Sequence, residues 1–174
     1  MELIESIVKR AQADPQRIIL PEGTEERTLK AADIILEQKI AEIVLLGNKQ
    51  EIEKISADLG LKNIDKAQII DPQDNPNHQK YVDLLFKLRQ RKGMTEEQAY
   101  EQAKDPLYLA CLMIKSGDAD GEVAGAKNYT GSVLRPAFQI VKTAPGIGVV
   151  SGCFIMIFKD KSIGHNGLML FADC

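Results

Sequence analysis

Up to Ile70 the chain alternates short apolar runs with segments of helical period, and that alternation leaves few architectures open. Arg17-Ile18-Ile19-Leu20, Glu42-Ile43-Val44-Leu45-Leu46 and Ala67-Gln68-Ile69-Ile70 read as short buried strands bounded by turn residues. Leu3, Ile4, Ile7, Val8 and Ala11 mark one face of a helix that stops at Asp14-Pro15. Ala32 and Ile35 continue a second helix, and Ile52, Ile55 and Leu59 a third. Strands and helices alternating at these lengths specify a parallel sheet covered by helices, an α/β fold. Periodicity does not encode the order of the strands.

Local chemistry sets the expected boundaries. Thr24 is the expected N-cap of the second helix, with Glu25 and Glu26 suiting its positive end. Asn48 and Glu51 form a capping pair, and Gly60 ends that helix. Three helices then follow without an intervening strand. The first runs from His78 to about Arg91 and ends at Gly93; the second opens at Thr95 with Gln98 as its partner. The third starts at Asp105-Pro106 and ends at Gly117. The stretch from Gly117 to Ala126 reads as turn, short strand and turn, and 130–143 as a helix that Pro136 either kinks or occupies in its first turns. Ala144-Pro145-Gly146-Ile147-Gly148 is the expected boundary between a first domain, 1–145, and the start of a second, 146–174. In the latter, Val149 to Phe158 and Leu168 to Phe171 read as buried strands. No helix follows to cover that pair, so the second domain is expected to be cut off.

Composition narrows the function classes. The 174 residues are 44% apolar and 27% charged with a net charge of −3, the profile of a soluble globular protein without the basic face of a nucleic-acid binder. An acid stands in the first residues and no apolar run is long enough for a membrane span, so a cytoplasmic chain is expected. Cys111, Cys153 and Cys174 lie in or beside apolar runs without metal or redox spacing and read as small hydrophobes. No clustered Cys/His, HExxH or acidic calcium loop suggests a metal.

Chemistry concentrates in two places. Gly121 to Gly131 joins a short strand to a helix through glycines, the ingredients of an anion site built on free amides and a helix N-terminus. It is neither GxGxxG nor a P-loop, and ordinary tight turns are the alternative. Gly125, Thr130 and Gly131 are its substrate-binding candidates. Arg89 and Arg135 are the candidate catalytic cations, because a guanidinium offers a planar fork of donors to phosphate. For Arg89 the alternative is a solvated helix face, and for Arg135 a structural salt bridge. His78, His165 and Ser151-Gly152-Cys153 carry weaker signals.

Several segments, in order, resemble the phosphate acetyltransferase family over the whole length. They are Leu20-Pro21-Glu22-Gly23 with Arg27, Leu88-Arg89-Gln90-Arg91-Lys92-Gly93, and Ala119-Asp120-Gly121-Glu122-Val123-Ala124-Gly125-Ala126. Leu134-Arg135-Pro136-Ala137 continuing to Ile140-Val141-Lys142-Thr143, and Leu170-Phe171-Ala172-Asp173, complete the set. Ala124 stands where the family commonly has Ser. Lys127 to Ser132 replaces the family's His, small hydroxyl residues and acid.

The resemblance implies a three-layer α/β/α fold with a mostly parallel sheet, of the isocitrate/isopropylmalate dehydrogenase-like kind, in two domains flanking a cleft. It implies direct acetyl transfer between coenzyme A and inorganic phosphate in a ternary complex. Coenzyme A serves as substrate, with no other cofactor and no metal, and Arg89 and Arg135 stand among the phosphate-binding arginines. A cytoplasmic homodimer of the intact enzyme follows by the same resemblance, without nucleic-acid or membrane partners. The family's catalytic serine, a further arginine and the aspartate proposed as base belong to the half beyond Cys174. Phosphate butyryltransferase and a non-catalytic α/β interaction domain are the alternatives. On this reading the 174-residue chain alone aggregates and lacks activity; light scattering and denaturation that found a cooperative soluble monomer would overturn it.

Overall fold

The structure, a computed structural model, describes residues 2–172. The chain divides into two compact units, one closing at Val141 and the next opening at Lys142. The first unit carries α1 (Glu2–Ala13), β1 (Arg17–Leu20), α2 (Glu26–Gln38), β2 (Glu42–Leu46), α3 (Lys49–Asp58) and β3 (Gln68–Ile70). It continues with α4 (His78–Arg89), α5 (Glu96–Gln102), α6 (Pro106–Ser116), β4 (Gly121–Glu122) and α7 (Thr130–Pro136). Its strands form one parallel sheet in the order β3-β2-β1-β4. The expected parallel α/β sheet is therefore present, and the order shows that β4 enters beside β1 after the three consecutive helices.

Strand alternation sorts the core into two layers. Ile19, Val44 and Leu46 face α4, α5 and α6, while Leu20, Ile43 and Leu45 face α2 and α3. Helix α6 is the most deeply embedded: Leu107 through Met113 are all buried. A helix apolar on every side belongs inside a fold, and here it packs among α4, β4 and α7.

Most expected caps form. Asn48 accepts from the Glu51 amide at 3.2 Å, Thr95 and Gln98 complete a reciprocal capping box, and Asp105 caps α6 ahead of Pro106. At α2, however, Glu25 rather than Thr24 is the N-cap, accepting from the Thr28 amide at 3.0 Å. Helix α4 stops at Arg89 and tightens into a 3-10 turn over Gln90–Lys92 before Gly93. The helix expected over 130–143 is two pieces. Pro136 ends the α-helical part, and Ala137–Val141 winds as a π-turn, accommodating a proline that has no N–H to donate.

The second unit holds an antiparallel pair, β5 (Cys153–Ile157) and β6 (Leu168–Ala172), with Ile155 opposite Leu170. Both strands expected there exist, but β5 is shorter than 149–158 and neither is buried. Phe154 is 63% exposed and Leu170 64%. A two-stranded ribbon has no third layer of its own to cover either face. Cys153 is exposed with it, contrary to its reading as a core hydrophobe, while Cys111 is buried as expected. Cys174 lies outside the described residues.

Leu109→Ala, at a fully buried position of α6, should destabilise the first unit by about 2–5 kcal/mol. Ile4→Ala, at a half-exposed position of α1, should cost about 0.5 kcal/mol or less. Urea denaturation of both variants checks the contrast; equal losses would contradict the assignment of the core.

Candidate functional site

The chain leaves β1 through Pro21, Glu22 and Gly23. The Gly23 amide donates to the Leu46 carbonyl at 3.1 Å, and a Cβ on Gly23 would stand 2.5 Å from that oxygen. Only glycine lets this turn lie so close to the end of β2. The turn is thereby fixed, and Glu22 projects toward the segment leaving β4.

That segment wraps Glu22. The carboxylate accepts from four consecutive backbone amides: Gly125 at 3.0 Å, Ala126 at 2.7 Å, Lys127 at 2.8 Å and Asn128 at 2.7 Å. It also accepts from the Asn128 side-chain amide at 2.8 Å. A positive φ of 110° at Gly125 helps curve the run into a concave nest of N–H groups. Glu22 is only 7% exposed. Burial pushes its carboxyl up, but the donors from Lys127, Asn128 and Ala126 together outweigh burial and hold it below the ordinary carboxylate range. On the outer side of the turn the Arg27 guanidinium donates to the Ala126 carbonyl and to Glu25.

The glycine segment is thus an anion site, and its anion is the protein's own Glu22. The N–H of Gly125, expected to face substrate, is taken by this carboxylate. Asn128, a departure from the family pattern, is accommodated by donating twice to the same group. Thr130 and Gly131 follow as exposed residues in the first turn of α7, after Tyr129, whose side chain makes no capping bond.

Beyond them Arg135 occupies the last turn of α7 and is exposed, while Arg89 ends α4 half-buried. Both lie within electrostatic range of Tyr108 of α6. Burial raises the phenol's pKa, and the guanidinium charges of Arg135 and Arg89 both oppose that rise. The Tyr108 hydroxyl donates to Gln139 Oε1 at 3.2 Å, so the π-turn and α6 meet at the same point. Neither guanidinium pairs with a carboxylate among the described residues. The Arg89 Nε is shut off from water without a hydrogen-bond partner. The salt bridge weighed for Arg135 does not form among the described residues, and Arg89, weighed as a solvated group, is half-buried. Two cations without a carboxylate partner among the described residues have donor capacity left for an anion.

Sequence reasoning missed Tyr108, Gln139 and the role of Glu22. Tyr108 sits in an apolar run and reads as core. Gln139 lacks any local signal, because its partner is far away in sequence. Among the described residues no Cys/His/Asp/Glu group could hold a metal ion.

The phosphate acetyl/butaryl transferase family matches residues 2–174. Phosphate acetyltransferase of Thermoanaerobacterium thermosaccharolyticum is 50% identical over 174 residues, covering 100% of this chain and 52% of the relative. That of Clostridium acetobutylicum is 47% identical over the same spans. Among solved structures, the EutD phosphotransacetylase from Staphylococcus aureus is similar with a TM-score of 0.88 and 32% identity, over 99% of this chain and 50% of that one. A phosphotransacetylase from Streptococcus pyogenes gives 0.89 and 29%, over 99% and 51%. The chain spans about half the length of these relatives.

Glu22→Gln removes the charge and one strong acceptor from the nest, and should destabilise the first unit by about 1–3 kcal/mol at pH 7. Because the folded-state pKa of Glu22 is depressed, its contribution is present above the ordinary glutamate value of 4.5 and lost as pH falls through the folded value. Denaturation curves of wild type and variant should therefore differ at pH 7 and converge in acid. A gap that persists unchanged at low pH would refute the charge-based account.

Proposed function

Because the chain belongs to the phosphate acetyl/butaryl transferase family, we propose that it forms the phosphate-binding half of an enzyme that moves an acetyl group between coenzyme A and inorganic phosphate. The observation that supports this reading is that Arg89 and Arg135 have no carboxylate partner among the described residues and that the Arg89 Nε is buried without a hydrogen-bond partner. Phosphate and acetyl phosphate present planar sets of oxygens suited to guanidinium forks. Charge that develops as a thiolate attacks the acetyl carbonyl is stabilised by cations already in position, the effect that usually dominates such steps.

The occupied nest sharpens the division of labour. With four amides turned onto Glu22, phosphate is held by the two arginines and by groups at the start of α7, Thr130 and Gly131 among them. The turn's contribution is to fix where α7 begins. Acetyl rather than butyryl transfer is favoured by the run from Leu134 to Thr143, and both curated relatives above are phosphate acetyltransferases. The proposal includes acetyl-CoA and phosphate as the substrates, no further cofactor, and a cytoplasmic homodimer serving acetate metabolism. It is consistent with the acidic net charge of −3. Among the described residues no helix is long and apolar enough to cross a membrane.

The test replaces the matching half of the Thermoanaerobacterium thermosaccharolyticum relative with residues 2–174 and follows acetyl-CoA formation from acetyl phosphate and coenzyme A. The expected result is turnover by the chimera, with acetyl phosphate preferred over butyryl phosphate, and none by the 174-residue chain alone. Arg135→Ala and Arg89→Ala should each lower kcat/KM about 10²-fold or more. Unchanged kinetics in both variants would sink the assignment of these arginines.

A further inference from the structure

The polar network that ties α4 to the exit of α6 is used by nothing described above. Gly117, with a φ of 81°, ends α6. The next residue, Asp118, turns its amide back onto the Met113 carbonyl at 2.8 Å, and the Asp120 amide donates to the Arg17 carbonyl of β1 at 2.9 Å. Asp118 is therefore fixed to α6 and, through the sheet, to β1. One of its oxygens, Oδ2, accepts from three side chains: Ser116 Oγ at 2.6 Å, the Tyr81 hydroxyl at 2.9 Å and Lys80 Nζ. Lys80 and Tyr81 belong to α4. Tyr81 is 3% exposed, so its hydroxyl has no bulk water to turn to. Burial pushes the Asp118 carboxyl up, but the donors from Lys80, Ser116 and Tyr81 together hold it below its ordinary range. It stays charged, and its bonds stay charge-assisted.

Helix α4 transmits whatever happens at this clamp. It runs from His78 to Arg89 without a proline or a glycine. Tyr81, Leu85 and Arg89 are spaced four apart and share one side of it. Val82 and Leu85 are buried, and that apolar stripe settles which side faces the core. Such burial is non-directional, so by itself it leaves the helix free to turn or slide slightly. A hydroxyl and an ammonium bonded to one carboxylate oxygen remove that freedom. The effect is felt at the far end. A rotation of roughly 10° carries a group roughly 6 Å from the axis about 1 Å sideways. A misplacement of about 1 Å can cost about 10²-fold in rate. Arg89 is the residue at that end, with its Nε shut off from water and without a hydrogen-bond partner among the described residues.

We propose that Asp118 is a positioning residue: by holding Tyr81 and Lys80 it sets the rotation and register of α4, and with them the direction in which Arg89 points. The inference rests on the reading of Arg89 as a phosphate-binding cation and adds a residue clamped near the opposite end of the same helix.

The test uses the chimera described above. Asp118→Asn keeps the shape of the side chain and removes its charge. It is made alone, with Arg89→Ala and with Arg135→Ala, and kcat/KM for acetyl phosphate is followed. The expected drop is about tenfold alone or with Arg135→Ala, and less than about twofold with Arg89→Ala, because the group it positions is then gone. Equal drops in all three backgrounds would mark a general loss of structure and overturn the proposal, as would no drop in any. A second readout is independent of activity. The Arg89 Nε–H resonance, assigned by its loss in Arg89→Ala, should exchange slowly with water in the parent chimera. In Asp118→Asn it should exchange about tenfold faster or more, with the Leu85 amide unchanged. Kinetics indifferent to Arg89→Ala would count against the phosphate reading alone, and the exchange rate then decides. Unchanged exchange overturns the positioning role in either case. Should Asp118→Asn not fold, Tyr81→Phe, which removes a single hydroxyl, takes its place in both measurements.

Discussion

The first unit is organised around one buried carboxylate. Glu22 lies at the end of β1, yet the five hydrogen bonds it accepts all come from Gly125 to Asn128, beyond β4. Parallel strands cannot be closed by short hairpins, so the exit of β4 has no local support. A charge-assisted bond from each successive amide supplies that support across more than 100 positions of sequence. The start of α7, and with it the direction in which Arg135 is carried, follows from this anchor.

A carboxylate at this point also changes the electrostatic problem for any ligand. An empty nest would attract phosphate through backbone dipoles. A filled one presents satisfied amides and a negative charge, so an incoming anion depends on guanidinium groups. Arg89 and Arg135 come from different helices, and neither is neutralised by an acid among the described residues. The dipoles of the turn are thus taken by the fold, whereas the two guanidinium groups are left without an acidic partner among the described residues.

What could be read from the chain alone was what local chemistry determines. Asn48, the Thr95–Gln98 box and Asp105-Pro106 act within four residues, so their helix starts were legible. The parallel sheet followed from the alternation of runs. Failures came where partners are remote or where two neighbours can do one task. Thr24 and Glu25 can each cap α2, and only the path of the preceding turn selects Glu25. The pairing of Glu22 with residues 125–128 leaves no periodic trace. Arg89 and Arg135 were singled out as candidates by guanidinium chemistry and by motif order, whereas the Tyr108–Gln139 bond was hidden because an apolar run and a continuous helix explained both residues adequately. The β5–β6 ribbon is as uncovered as the lack of a following helix led one to expect, although each strand by itself read as buried: composition measures how apolar a strand is, and not whether a layer exists to cover it.

The π-turn at Ala137–Val141 has an implication for how this segment tolerates change. A π-turn holds one more residue per turn than the regular helix, so it behaves as a stored insertion. Removing one residue there would return the backbone to α-helical phase and rotate everything before or after the cut by roughly 100° about the helix axis. Gln139 would swing off Tyr108, while Arg135, on the other side of Pro136, would keep its setting. Substitutions in this stretch are local in effect, but a change of length uncouples the two sides of the site.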